Sequence, residues 1–318
     1  MTAPALLLAF AVIGGCWAGR WLEQARWPAR APRLGIWAWA ALSASTLAAA
    51  VLAGLGLAVP SVRLTPALAD LLHACWALIR AQYATPGGAV AGVAGLAAAG
   101  SVSARLLVRV AAENLGARRA RRSHRQRLLL LGHPAPQSGL VVLPCAEPAV
   151  YCLPGRPGIV VCTSAALEQL DTDELQAVLA HEQAHLRGRH HRLLTFAGAL
   201  RSAFPFVTTF RLAEQHLAVL VEMRADDVAR GARNPRALGS ALVKLAGAVT
   251  PQVALGANGA GLLARVHRLA SGTVGVPART ATGVAVLGLL VLAAPLLIAL
   301  GPAAVAVALD YCPPGFLG

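Results

Sequence analysis

Charge is scarce in this chain. Only 13 % of its 318 residues are Asp, Glu, Lys or Arg, about half the share found in an ordinary soluble domain. With 57 % hydrophobic residues and a mean hydropathy of +0.61, that scarcity excludes a wholly water-soluble protein. Lysine is almost missing, Lys244 being the only one, and acidic residues are so few that the net charge is +14. A basic balance points to nucleic acid or to an anionic membrane. No aromatic-interleaved basic groove or other nucleic-acid motif accompanies it, so direct nucleic-acid binding is not expected. Methionine occurs only at Met1 and Met223, which limits any motif that needs one. There is no internal repeat.

What is present is a set of long uncharged runs. Residues 3–19, 34–62, 81–104 and roughly 282–309 carry no charge, and each is near or above the ~20 residues a helix needs to cross the hydrocarbon core. The third is rich in Gly and Ala, and the fourth holds Pro295 as an expected kink. The runs are nearly free of ionisable side chains, so a metal transporter is not expected. The first run lacks the basic leading region of a signal peptide. Its positive flank, Arg20, Arg26, Arg30 and Arg33, comes after it, and the third run is followed by the basic stretch Ala117–Arg127. Both clusters fit the cytoplasmic excess of positive charge if the N-terminus and the tail after Asp310 are outside. The expected protein is multi-pass in a bacterial-type plasma membrane, in contact with lipid. The outer loop between the second and third spans contains Leu64–Arg80, which reads as an amphipathic interfacial helix with Trp76 as anchor and His73 beside it.

Between the third and fourth runs the pattern changes. Gly139–Pro144, Ala149–Leu153 and Gly158–Cys162 are short β-type runs separated by Pro/Gly turns. Asp171 can cap a helix with Glu174 reaching back from its third position, which predicts a helix over Thr172–Gly188. Further helices are expected to Phe204, over Thr208–Arg230, from Asn234-Pro235, and over Leu262–Ala270. Of six cysteines, Cys145, Cys152 and Cys162 fall in the strands as buried thiols, and Cys16 lies in the first span. Cys75 and Cys312 are both outside, where a disulfide is chemically allowed.

On the capped helix stands His181-Glu182-Gln183-Ala184-His185. Histidines four apart share one face, so both rings can reach a single ion. Glu182 sits beside that site, where it can take a proton from the attacking water. A third ligand is needed. Glu222 is one candidate: its neighbours at helical spacing, Ala218, Val219, Ala225 and Ala229, are apolar, a face on which an unpaired carboxylate is costly. Asp226, one turn on, can orient a ligating histidine. His191 is the other, because His181-x-x-x-His185-x-x-Gly188-x-x-His191 fits the metzincin spacing. Met223, inside a predicted helix, is the only methionine available for the turn that pattern also requires. Arg265, His267 and Arg268 read as a basic cluster facing lipid headgroups, with oxyanion stabilisation by His267 as the alternative.

The stretches Gly158–Ala166 and Asp173–His191 resemble the BlaR/MecR-type antirepressor membrane metallopeptidases, and more distantly the prenyl-protein peptidases with glutamate as third ligand. The resemblance implies that His181, His185 and Glu222 bind zinc, that Glu182 is the base and that Asp226 is the Glu-x-x-x-Asp partner. It also implies that the strand Ala149-Val150-Tyr151-Cys152 pairs with extended substrate. The sensing members carry a penicillin-binding domain beyond the fourth span. This chain ends at Gly318 with no Ser-x-x-Lys motif set in such a domain, so β-lactam sensing is not expected.

The expected architecture is a mainly α membrane protein of four transmembrane helices with an α+β minigluzincin-like cytoplasmic zinc peptidase domain. Residues 1–110 would hold three spans, 111–280 the peptidase, and 281–318 the fourth span and outer tail. One Zn2+ per chain would serve hydrolysis of a protein substrate, a cytoplasmic repressor or the enzyme itself. The alternatives are a non-catalytic membrane transducer with structural zinc and the metzincin-like peptidase with His191. The oligomeric state is open.

Overall fold

The computed structural model describes residues 2–58, 87–134, 139–232, 234–247, 257–272 and 275–310. The expected helix Leu64–Arg80, with His73 and Trp76, and the cysteines Cys75 and Cys312 lie outside the described residues. The chain is mostly helical, with a small mixed sheet.

Four helices are long and apolar enough to cross a membrane. The first, α1 (Thr2–Gln24), contains a π-helical turn at Gly14–Ala18. A single-turn α2 (Trp27–Arg30) leads into α3 (Pro32–Ala58). The others are α4 (Gly88–Leu131) and α11 (Ala278–Asp310). Helix α4 departs from expectation. The uncharged run ends at Ala104, yet one helix of 44 residues continues through the basic stretch to Leu131. No proline stands between Pro86 and Pro134, and Ala, Leu and Arg are strong helix formers, so nothing breaks the ladder. At about 1.5 Å per residue α4 is about 66 Å long, twice the hydrocarbon core.

Helix α3 packs against α1, α4 and α11. Its crossing with α4 is a backbone contact: a Cβ on Gly54 would lie 2.7 Å from the Gly95 carbonyl oxygen. Lipid offers no hydrophobic drive between helices, so such small-residue approaches set the packing.

The remaining elements are β1 (His133–Pro134), β2 (Leu140–Leu143), β3 (Val150–Leu153) and β4 (Ile159–Thr163). They are followed by α5 (Ser164–Gln169), α6 (Thr172–Arg187), α7 (His190–Ala203), α8 (Thr208–Ala232), α9 (Pro235–Gly247) and α10 (Ala257–Ser271). Strand order is β1-β2-β4-β3, with β2 and β4 parallel and the other pairs antiparallel. Strand β3 is therefore an edge. Its side chains alternate: Val150 and Cys152 pack with Leu140, Cys162 and Leu179, while Tyr151 and Leu153 face Leu128 of α4. Tyr151 Oη lies 2.7 Å from His124 Nε2, fastening the sheet to α4.

Helix α6 begins with the expected capping box. Asp171 accepts from the Glu174 N–H at 2.8 Å, and Glu174 accepts from the Asp171 N–H at 3.0 Å. The Glu174 carboxylate also accepts from Ser240 and Lys244 of α9, each at 2.6 Å. Burial alone would raise its pKa, but these donors hold it below the usual carboxylate value. A depressed carboxylate contributes stability that is complete above its unfolded pKa of about 4.3 and is lost as pH falls through the lower folded value. Glu174→Ala is expected to cost about 2–3 kcal/mol at neutral pH. In thermal melts the gap to wild type should close below about pH 4; a pH-independent gap would refute the assignment.

Helix α8 is pinned to the membrane helices. Thr209 accepts from Gly19 N–H at 3.2 Å and donates to the Gly14 carbonyl at 2.5 Å. The hydroxyl thus takes up a carbonyl that the π-turn of α1 frees from its ladder. Below it, Leu212, Ala213, Leu217 and Leu220 close around Trp39 of α3, with Leu22 and Ile36 alongside. Trp39 stacks on His216 with centroids 5.1 Å apart. One core therefore draws on both the apolar helices and α8.

Candidate metal centre

Three elements converge on one point: α6, α8 and α10. Alanine and leucine faces bring α6 and α8 together, with Ala177 and Val178 against Ala229. His181 and His185 are one turn apart on α6, and their Nε2 atoms lie 3.1 Å from each other. From α8, Glu222 presents Oε2 to His181 Nε2 at 3.5 Å and Oε1 to His185 Nε2 at 3.4 Å. One ligand atom from each of the three lies within 4.8 Å of the others. A tetrahedral ion with bonds of about 2.0–2.1 Å needs donors about 3.3 Å apart. The spacing and the His/His/carboxylate donor set both fit zinc.

The supports lie behind these three. His181 Nδ1 is 3.0 Å from Asp226 Oδ1, close but off the axis of a full hydrogen bond. Asp226 is 1 % exposed. Arg265 of α10 grips it with two bonds of 2.7 Å, from Nε and Nη2. The same guanidinium reaches Glu222 Oε2 at 3.0 Å. Burial opposes the charge on Asp226, but Arg265 and His181 hold its pKa down to about 2. Burial opposes the charge on His181 too, yet Asp226 and Glu222 raise its pKa to about 9. His185 has no such partner behind it. Burial, reinforced by the charges of His181 and His190, takes it down to about 4.

Glu182 is not one of the three convergent groups. It is half-buried next to the edge strand, with Cys152 beside it. Burial raises its pKa, and the charge of Glu222 adds to that rise. The Cys152 thiol is pushed up to about 12, by burial and then by the Glu182 charge. Of the expected substrate strand, Val150, Tyr151 and Cys152 lie in β3, and Ala149 is tied to Thr163 at its start.

The turn after α6 separates the two following histidines. Gly188 ends the helix, and a Cβ there would collide with the His190 ring. His190 consequently packs edge-on against His185, with Nδ1 atoms 3.0 Å apart. His191 is outside the convergent group and faces a separate cleft. Arg265 and Arg268 correct the reading of a lipid-facing basic cluster. Their side chains are 12 % and 11 % exposed and pair with Asp226 and Asp227, while His267 faces outward. The signal was present: a chain poor in acid carries two adjacent aspartates, Asp226 and Asp227, on a helix with a small apolar face, and each buried acid needs a cation.

Residues 131–238 match the profile of Peptidase family M48. Over that stretch the chain is similar to metallopeptidase sequence. It is similar to the plastoglobule-localized metallopeptidase 48 of Arabidopsis thaliana, 34 % identical over 127 residues, covering 37 % of each chain. A protease HtpX homolog of Aquifex aeolicus is 34 % identical over 74 residues, 23 % of this chain and 24 % of that one. One from Helicobacter acinonychis is 42 % identical over 52 residues, 16 % and 17 % of the two chains. The chain thus spans little more than a third of the plant relative and a quarter or less of the bacterial ones. No solved structure matches it.

Proposed function

We propose that the chain is an integral-membrane zinc metalloendopeptidase acting on a cytoplasmic or membrane-associated protein. The observation that carries this reading is the tetrahedral spacing of His181, His185 and Glu222 with Glu182 beside them. When bound, zinc would supply a Lewis acid for the attacking water and for the scissile carbonyl. His181, His185 and Glu222 would hold it. Glu182 takes a proton from the attacking water and returns it to the leaving amine. Its raised pKa suits both transfers. Asp226, locked by Arg265, fixes the His181 ring so that Nε2 faces the ion. The free edge of β3 passes beside Glu182 and offers main-chain pairing to an extended substrate.

The antirepressor resemblance makes a repressor in a signalling pathway, or the enzyme itself, the substrate to try first. The arginine clusters favour a cytoplasmic active site with both termini outside. Arg26–Arg33 follow the first apolar helix, and Ala117–Arg127 lie in the C-terminal part of α4, beyond its apolar run.

Metal content and turnover test the reading together. Detergent-purified wild type should hold about one zinc per chain and cut an unfolded protein, with activity lost on chelation and restored by zinc. Glu222→Ala should lose the metal and His191→Ala should keep it. The reverse result would replace Glu222 by His191, and a metal-free wild type would end the peptidase reading.

A further inference from the structure

A cleft of about 810 Å³ opens at the far end of β3 from the sheet's start. Its volume is in the range that holds a ligand of several residues or a drug-sized molecule. One wall is α4, where Arg118, Arg121, Arg122 and Arg125 repeat at helical spacing and so share one face. The cleft is also lined by Arg187 at the end of α6, Arg189 in the turn after it and Arg192 at the start of α7. Leu153 of β3 and Arg156 of the following turn form its floor. No carboxylate lines it. Among the described residues none of these arginines forms an ion pair, whereas Arg201, Arg230, Arg265 and Arg268 all do. Like charges packed this closely repel, and a ligand of opposite charge relieves that repulsion.

We propose that this cleft binds a run of acidic side chains in the polypeptide substrate, next to the segment that pairs with β3. The proposal rests on the peptidase reading. Continuity supports it: Leu153 directly follows Cys152, which stands beside Glu182, and Leu186 of the His181/His185 helix also lines the cleft. An extended chain on β3 therefore runs straight into the arginines. Height above the membrane argues against lipid headgroups as the occupant. The first charges on α4 are Arg105 and Arg109, and Arg105 bonds to the Ala203 carbonyl at the membrane end of α7. Arg118 to Arg125 lie about 20–30 Å further along the helix. They stand at the level of the active site, beyond headgroup reach.

The test uses the full chain carrying Glu182→Gln in detergent, so that binding is read without cleavage. Two labelled peptides share a neutral core and differ in a flanking Asp/Glu run or its Asn/Gln counterpart. Fluorescence anisotropy should show the acidic peptide binding about tenfold tighter at low salt, with the preference gone near 0.5 M salt, where screening falls to roughly 4 Å. Arg118→Ser/Arg122→Ser should bring the ratio close to one. Equal binding of both peptides overturns the proposal. So does inorganic phosphate or phosphatidylglycerol vesicles binding in an arginine-dependent way while the acidic peptide shows no preference. Wild-type turnover separates the two readings. Equal cutting of both peptides, with equal binding, removes the cleft proposal and leaves the peptidase. Arginine-dependent binding with no cutting removes the peptidase and leaves an acidic-polypeptide site.

Discussion

Glu182→Gln is expected to lower kcat by a factor of about 10²–10⁴ while the protein keeps about one zinc per chain. The separation of those two effects is what the geometry dictates. Glu182 shares a helix with His181 and His185, but among the described residues only Glu222 joins them within ligand distance. Glutamine is nearly isosteric with glutamate, so the packing against Cys152 and the edge strand is retained. What disappears is the carboxylate that accepts and returns the proton. Its pKa is raised because burial outweighs the lowering by His181 and Cys152, with a smaller rise from the Glu222 charge, and a raised carboxyl suits both transfers. Turnover of an unfolded protein and metal analysis on the same preparation decide the matter. Turnover retained within a few-fold would remove Glu182 as base. Loss of metal in Glu182→Gln would make it a ligand and displace Glu222.

How much of this was legible in the sequence follows from the range of the interactions. Capping, the face shared by His181 and His185, and the β-type runs are local, and the helix Thr172–Arg187 and strands β2 to β4 stand close to where residue pattern puts them. The placement of α4 is a different matter. A change from apolar to basic residues marks the end of a lipid-facing segment, but it does not end a helix whose backbone nothing interrupts. The role of Arg265 was not legible for another reason. It meets Asp226 from 39 residues away, across two helices whose packing no spacing rule encodes. A basic trio near a membrane span has a bland surface reading, and only the burial of both partners overturns it. Glycine spacing alone favours His191 over His190, and the structure reverses that order, setting His190 against His185. The close approach of the His190 ring to Gly188 decides which of the two faces the site.

Arg265→Met should be among the most destabilising single changes available in the chain. It removes the cation that grips a carboxylate 1 % exposed and leaves Asp226 buried with His181 alone beside it, a change that costs about 3–5 kcal/mol. It also frees Asp226 and the His181 ring it orients, which should weaken zinc affinity by about 10–100-fold. Arg265→Lys keeps the charge but not the two-pronged grip on Oδ1 and Oδ2, so it should fall between wild type and Met. The sign with pH is fixed by Asp226. In wild type its pKa is held down to about 2, so its stabilising contribution persists until strongly acid pH. In Arg265→Met only His181 remains to offset burial, so the folded pKa of Asp226 rises from its wild-type value. Protonation then relieves the variant, and its deficit relative to wild type should shrink as pH falls towards 4. A double change, Arg265→Met with Asp226→Asn, should be less damaging than the sum of the two, because the neutral amide no longer needs a cation. Chemical denaturation of wild type, Arg265→Met, Arg265→Lys, Asp226→Asn and the double variant at pH 7 and pH 4.5, with zinc titration alongside, measures every part of this. Strict additivity, or a deficit that grows in acid, would show that Arg265 acts through packing alone and that Asp226 does not depend on it.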